Sequence, residues 1–141
     1  MTRIFLLAAL TGVAGCSSIT GSEAESVNPD LLQGGGWTLI ASSPGNAQLQ
    51  PARAKLTVLF TPDGHLGGQA GPNGYGGVYN AESSGSISID SVGMTLIGGE
   101  EADRAADYLV LMIRADRFSV TETRLHLYYG DEQYLRFGRE P

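Results

Sequence analysis

From Trp37 onward the chain repeats its apolar residues at every second position, in short runs separated by turn residues, and this period restricts the fold more than any other feature. Leu56, Val58 and Phe60 alternate with Lys55, Thr57 and Leu59; Ile87 and Ile89 alternate with serines and Asp90. Phe118 pairs in the same way with Val120, Leu125, Leu127 and Tyr129 with Arg124, His126 and Tyr128, and Leu135 and Phe137 with Tyr134 and Arg136. Successive side chains of a strand point to opposite faces, so each run has one apolar and one mainly polar side, as in an antiparallel sheet buried on one face. On this pattern His126 faces solvent. Pro62-Asp63-Gly64 turns the chain between Phe60 and a strand near His65 to Gln69, because proline presets φ and glycine accepts φ > 0. Gly130-Asp131 supplies a second hairpin turn.

One segment departs from period two. Between residues 100 and 115 the apolar positions Ala102, Ala105, Ala106, Leu109, Met112 and Ile113 follow the i, i+3, i+4, i+7 spacing of a helix with one buried stripe. Glu100, Glu101 and Asp103 suit the positive end of its dipole and Arg114 the negative end. The expected fold is α+β: a curved antiparallel sheet or partly open β-barrel with one packed helix. Its core should hold Trp37, Leu39, Leu56, Val58, Phe60, Ile87, Ile89, Leu109, Ile113, Phe118, Leu125, Leu127, Leu135 and Phe137.

The N-terminus reads differently. The single cysteine, Cys16, closes Val13-Ala14-Gly15-Cys16 directly after the apolar run from Ile4 to Leu10, which has the form of a bacterial lipobox. That run is too short to span a bilayer, which takes about 20 apolar residues. The expectation is a lipoprotein signal peptide over residues 1–15, a lipid chain such as palmitate on Cys16, and a flexible tether over residues 16–35 rich in Ser, Gly and Glu. The domain then occupies residues 36–141. Ser17 stands where an aspartate would favour the inner membrane, so the expected location is the periplasmic face of the outer membrane. Charge agrees with anchoring by lipid rather than by basic residues. The chain has 9 basic and 15 acidic residues, Lys55 is its only lysine, and removal of Arg3 with the signal peptide leaves an excess of 7 negative charges. Nucleic acid and anionic lipid surfaces both call for clustered cations, so neither is an expected partner.

Gly71-Pro72-Asn73-Gly74-Tyr75-Gly76-Gly77-Val78-Tyr79 is so rich in glycine that a loop, not a regular strand, is expected there. The stretch resembles the G-C-N-x-Y-x-G-x-Y signature of the META domain family, the HslJ-like heat-shock proteins of bacterial envelopes, through Gly71, Asn73, Tyr75, Gly77 and Tyr79. Flanking features recur in the same order: Trp37 opening the first strand, Phe60 before a turn, a helix after a T-x-M-x-C element, and a closing pair of strands with Leu125-His126-Leu127 and Leu135-Arg136-Phe137. Two cysteine positions of the family pattern are occupied here by Pro72 and Gly99. If they form a disulfide in relatives, their joint loss is coherent, and a thiol function is not expected in this chain.

The residues carry no recognisable catalytic set. The glycine stretch lacks the Lys and Ser/Thr of a phosphate loop, and no G-x-S-x-G element is present. Asn73 is expected to bind the loop's own backbone, and Tyr75 and Tyr79 to cover one end of the core. His65 and His126 are not expected to share a metal, and the acidic residues Glu100, Glu101, Asp103 and Asp107 read as a solvated helix face. The expectation is a monomeric protein that is not an enzyme and has no cofactor. Two functions fit: an envelope module, interaction- or stress-related, that contacts a periplasmic protein, or a carrier or sensor of a small hydrophobic ligand held in a barrel-like cavity.

Overall fold

A computed structural model describes residues 24–45 and 48–141. Cys16 and the signal-peptide residues lie outside them. A short 3₁₀ helix, Pro29–Leu32, leads into β1 (Trp37–Ser43), β2 (Gln50–Pro51), β3 (Thr57–Phe60), β4 (His65–Ala70), β5 (Asn73–Ala81) and β6 (Ile87–Met94). The helix α1 (Glu100–Ile113) follows, then β7 (Arg117–Val120), β8 (Arg124–Tyr129) and β9 (Gln133–Arg139). All pairings are antiparallel, in the order β6-β5-β4-β3-β1-β9-β8-β7, with β2 added beside β1.

The sheet curls into a half-barrel until its two edge strands meet at one end. There the Ile87 amide donates to the Asp116 carbonyl at 3.1 Å and the Phe118 amide to the Gly85 carbonyl at 2.9 Å. The contact satisfies backbone groups that an open edge would leave free for pairing with another chain. The helix lies across the concave side, touching β4, β6 and β8. Ala102 and Ala105, both buried near its start, bring it close to the sheet, and Leu109 and Met112 fill the space below.

The expected core is buried with one exception. Ile113 is only partly buried and packs against the core from its rim, while its neighbour Met112 takes the central place. Period two also misjudged His126, which is 5% exposed although it points away from the sheet's apolar face. The reason is a covering segment that no periodicity announces. Residues 24–33, expected within the tether, pack on the domain: Ser26 and Val120 exchange backbone hydrogen bonds at 2.9 and 2.8 Å, and Leu32 is fully buried. The Trp37 indole donates to the Leu32 carbonyl at 2.9 Å. Arg139 fixes the same turn, stacking its guanidinium 4.0 Å above the Trp37 ring and donating to the carbonyls of Leu31 and Gln33.

The largest correction concerns the glycine-rich stretch, which is a nine-residue strand, not a loop. Ala70 pairs with Asn73 across a two-residue turn, with Gly71 at φ 58°, the first-position geometry of a tight hairpin turn. The glycines answer close approach within the sheet. A Cβ on Gly68 would collide with the Thr57 carbonyl, and one on Gly77 would stand 2.9 Å from both the Asp90 carbonyl and a methyl of Val92. At that point β6 carries an irregularity opposite Gly77, with Ser91 at φ 53°, and a side chain there would force the two strands apart.

Gly77→Val should therefore lower stability by more than about 1 kcal/mol through overpacking. Gly74→Ala, whose nearest neighbour is 4.0 Å from the added carbon, should cost less. Urea unfolding of the two variants checks the difference, and equal midpoints would contradict the packing assigned to Gly77.

Candidate functional site

The motif strand and the approach to α1 form one unit, built around Asn73. The side chain is 1% exposed and satisfied at both ends. Its Oδ1 accepts from the Ile97 amide at 2.7 Å and from the Thr95 hydroxyl at 2.9 Å, while its Nδ2 donates to the Ile97 carbonyl at 2.9 Å. Thr95 adds to the contact: its amide donates to the Gly74 carbonyl at 3.0 Å, and its hydroxyl oxygen accepts from the Gly74 amide at 3.2 Å. Asn73 thus holds a segment more than twenty residues away, not the backbone of its own stretch.

The helix starts directly after this clamp. Gly99 occupies the N-cap at φ 130°, a conformation that side-chain-bearing residues rarely adopt, and has no side chain to cap the first turn. It stands at one of the two cysteine positions of the signature. Pro72, at the other, is exposed in the β4–β5 turn.

The two motif tyrosines, on the same face of β5 as Asn73, reach toward β3 and the turn that follows it. The buried Tyr75 hydroxyl donates to the Thr57 carbonyl at 2.5 Å, and burial pushes its pKa well above the ordinary phenol range. It is a neutral donor with no role as a base. Tyr79 is half-buried, meets Phe60 edge-on at 4.9 Å between centroids, and donates to the Thr61 carbonyl at 2.8 Å. Gly71, Asn73, Tyr75, Gly77 and Tyr79 are therefore brought together on one strand and its turn, and their polar groups point into the fold's own backbone.

A second cluster lies on the convex face of β7, β8 and β9, where Ser119, His126 and Arg136 stand opposite one another across the strands. Glu25 reaches it from the covering segment. Serine, histidine and glutamate together invite comparison with a nucleophilic triad, but the geometry is wrong for one. In a triad one ring nitrogen faces the nucleophile and the other the carboxylate. Here His126 Nδ1 meets both Ser119 Oγ at 3.4 Å and Glu25 Oε1 at 3.2 Å, while Nε2 accepts from Arg136 Nε at 3.0 Å. A guanidinium that only donates leaves Nε2 unprotonated, so the proton resides on Nδ1 and no base remains for the serine. Ser119 Oγ also shares a hydrogen bond with the Tyr128 hydroxyl at 3.1 Å. Burial holds the His126 pKa below its ordinary value; the guanidinium groups of Arg136 and Arg124 push the same way, and Glu25 opposes them.

His65 is far from this cluster in the sheet, in β4, where it pairs with exposed Asp63 at 3.2 Å. Hydrogen bonds from Thr61 and His65 hold the Asp63 carboxyl below its usual range. Among the described residues no group of three or more His, Cys, Asp or Glu side chains could hold a metal ion. No buried side-chain nitrogen or oxygen among them lacks a hydrogen-bond partner. No helix among them is long and apolar enough to cross a membrane.

The solvent-facing surface also carries large apolar side chains. Leu96 is 91% exposed and Ile97 56% exposed, both on the loop that Asn73 clamps. A groove of 320 Å³ runs between this loop and α1, lined by Met94, Leu96, Ile97, Ala102, Asp103 and Ala106 among others. Sequence patterning passed over the groove because Leu96 and Ile97 belong to no periodic run. Their signal was a pair of large aliphatic residues beside two glycines, directly before a helix.

Comparison with known proteins agrees with this architecture. A family model described as META domain matches residues 30–141. A protein from Burkholderia xenovorans, solved by NMR, is similar at 24% identity, with a TM-score of 0.66 over 86% of this chain and 96% of that one. A duf4847 family protein from Bacteroides vulgatus, solved by crystallography, is similar at 15% identity, with a TM-score of 0.56 over 74% of this chain and 91% of that one. At these identities the likeness concerns the fold. No curated protein matches the chain.

The His126 cluster makes stability depend on pH. A histidine held below its unfolded pKa stabilises the fold in full above that value, about 6.5, and the contribution is lost as pH falls through the folded pKa. Urea midpoints should fall between about pH 7 and about pH 5, and His126→Gln should flatten that dependence. The same slope in both proteins would show that His126 is not its source.

Proposed function

The chain belongs to the META domain family, and from that membership we propose that it is a non-catalytic interaction module held in the bacterial envelope by lipid on Cys16. One observation carries the non-catalytic part. Every motif side chain that could do chemistry is spent on the fold: Asn73 on Ile97 and Thr95, Tyr75 on Thr57, Tyr79 on Thr61. The histidine best placed to act as a base has both ring nitrogens engaged. The exposed loop at Leu96 and Ile97 supports the interaction part, since large aliphatic side chains facing water on a fixed backbone are a common mark of a contact surface.

The reading as a carrier of a hydrophobic ligand draws less support. Trp37, Phe60, Met112 and Phe137 are all fully or almost fully buried and belong to one core that fills the interior such a ligand would need. Anchoring rests on the lipobox ending at Cys16 and on the acidic charge balance, which leaves acyl chains as the means of attachment. The periplasmic face of the outer membrane is the location this reading assigns.

Fractionation of cells expressing the full chain tests it. The wild type should remain with membranes after a high-salt wash and incorporate labelled palmitate, while Cys16→Ser should lose the label and either stay unprocessed or become soluble. Salt-resistant membrane association of a processed Cys16→Ser protein would refute lipid anchoring.

A further inference from the structure

We propose that the groove between the 95–98 loop and α1 docks a cationic segment of a partner protein, with an aliphatic side chain of that segment seated against Leu96 and Ile97. The inference rests on the interaction reading above but not on the lipid anchor. Three features of the surface define the occupant.

The first is preorganisation. Leu96 and Ile97 do not hold their loop in place through their own side chains; Asn73 does so from below, through both backbone groups of Ile97. The loop therefore has little freedom to lose when a partner binds, which removes part of the usual cost of ordering an interface. The second is extent. Ala102, Ala106 and Val110 lie at i, i+4 and i+8 along α1, and Val110 is 55% exposed. They continue the apolar floor of the groove along the helix, giving a track suited to an extended or helical segment rather than a compact small molecule.

The third is charge. Glu100, Asp103 and Asp107 follow the outer side of this track. Glu100 is paired with Arg104, whereas Asp103 and Asp107 make no ion pair among the described residues. Asp103 is the one charged residue lining the groove. The rim is thus negative at Asp103 beside an apolar floor, with Asp107 one turn further on at the edge of a neighbouring hollow that Arg53 and Arg104 also line. This arrangement fits a segment that alternates aliphatic and basic residues and disfavours an anionic lipid surface. Three of the arginines that a second copy could bring are already engaged within its own domain. Arg117 and Arg136 are engaged over Tyr128 and Tyr134, and Arg139 over Trp37.

The test uses the full-length chain carrying Cys16→Ser, so that no lipid chain competes for the groove. A fluorescein-labelled peptide alternating leucine and lysine is titrated by anisotropy, beside the same peptide with glutamate in place of lysine. Amide shifts are followed by NMR. The lysine peptide should bind with shifts centred on Leu96, Ile97, Asp103, Ala106 and Val110, and the glutamate peptide should not. Leu96→Ser with Ile97→Ser should weaken binding at least about tenfold, and Asp103→Asn with Asp107→Asn about threefold or more, an effect that added salt should reproduce in the parent. Both sets of substitutions are at exposed positions, and an unchanged melting temperature shows that the fold is intact.

Binding of both peptides alike, shifts elsewhere on the domain, or no binding of the lysine peptide would overturn the proposal. So would Leu96-dependent self-association in sedimentation, or Leu96-dependent binding to phosphatidylglycerol vesicles without binding of the peptide. Membrane fractionation of the Cys16 variants reads the anchor separately, so failure of one reading is distinguishable from failure of the other.

Discussion

The hydrogen bonds of Asn73 join the parts of this fold that the chain leaves far apart. One amide side chain, almost wholly buried, satisfies the N–H and the C=O of Ile97 and takes the Thr95 hydroxyl as a third partner. Only an amide does this: aspartate lacks the donor, and leucine of similar size lacks both functions. Without it the N–H and C=O of Ile97 and the Thr95 hydroxyl would lose their partner, and each group that could not turn to water would cost about 1–3 kcal/mol. The start of α1, the groove beside it and the exposure of Leu96 all follow from where Asn73 holds Ile97.

Much of this architecture could be read from the residues. The alternation of Leu56, Val58 and Phe60, and of Leu125 and Leu127 with Leu135 and Phe137, placed nearly the whole core, because a strand's two faces obey a strict period. The helix was legible from Ala102 to Met112 for the same kind of reason, a stripe at helical spacing. The motif strand was not. Glycine is disfavoured in strands because it packs nothing and has the most entropy to lose, and six glycines between Gly67 and Gly77 read as a loop. The constraint that prevailed is tertiary: β3 to β6 approach so closely near Gly68 and Gly77 that a Cβ cannot fit.

His126 and the residues before Trp37 were misread for a related reason. Period two assigns His126 to the convex face correctly, but exposure also depends on what lies over that face. The cover comes from residues with no periodic signal: Glu25, reaching Nδ1, and Ser26, pairing with Val120. Arg139 is the other unread residue; its three donors and its stack on Trp37 tie the last strand to the turn at Leu31 and Gln33, to Trp37 and to Glu122. Such contacts depend on closure of the half-barrel, which no local window contains.

The same economy of polar groups shapes the functional reading. A fold with no disulfide spends Asn73, Tyr75, Tyr79 and His126 on holding distant segments together, and among what it leaves outside is an aliphatic loop beside an acidic helix turn. Amide hydrogen exchange at Ile97, compared between wild type and Asn73→Ala, tests this account most directly. Ile97 lies in an exposed loop outside any strand or helix, so strong protection of its amide in the wild type, lost in the variant together with about 2 kcal/mol of stability, is the predicted result. An Ile97 amide that exchanges freely in the wild type, or that stays protected when Asn73 is replaced, would contradict it.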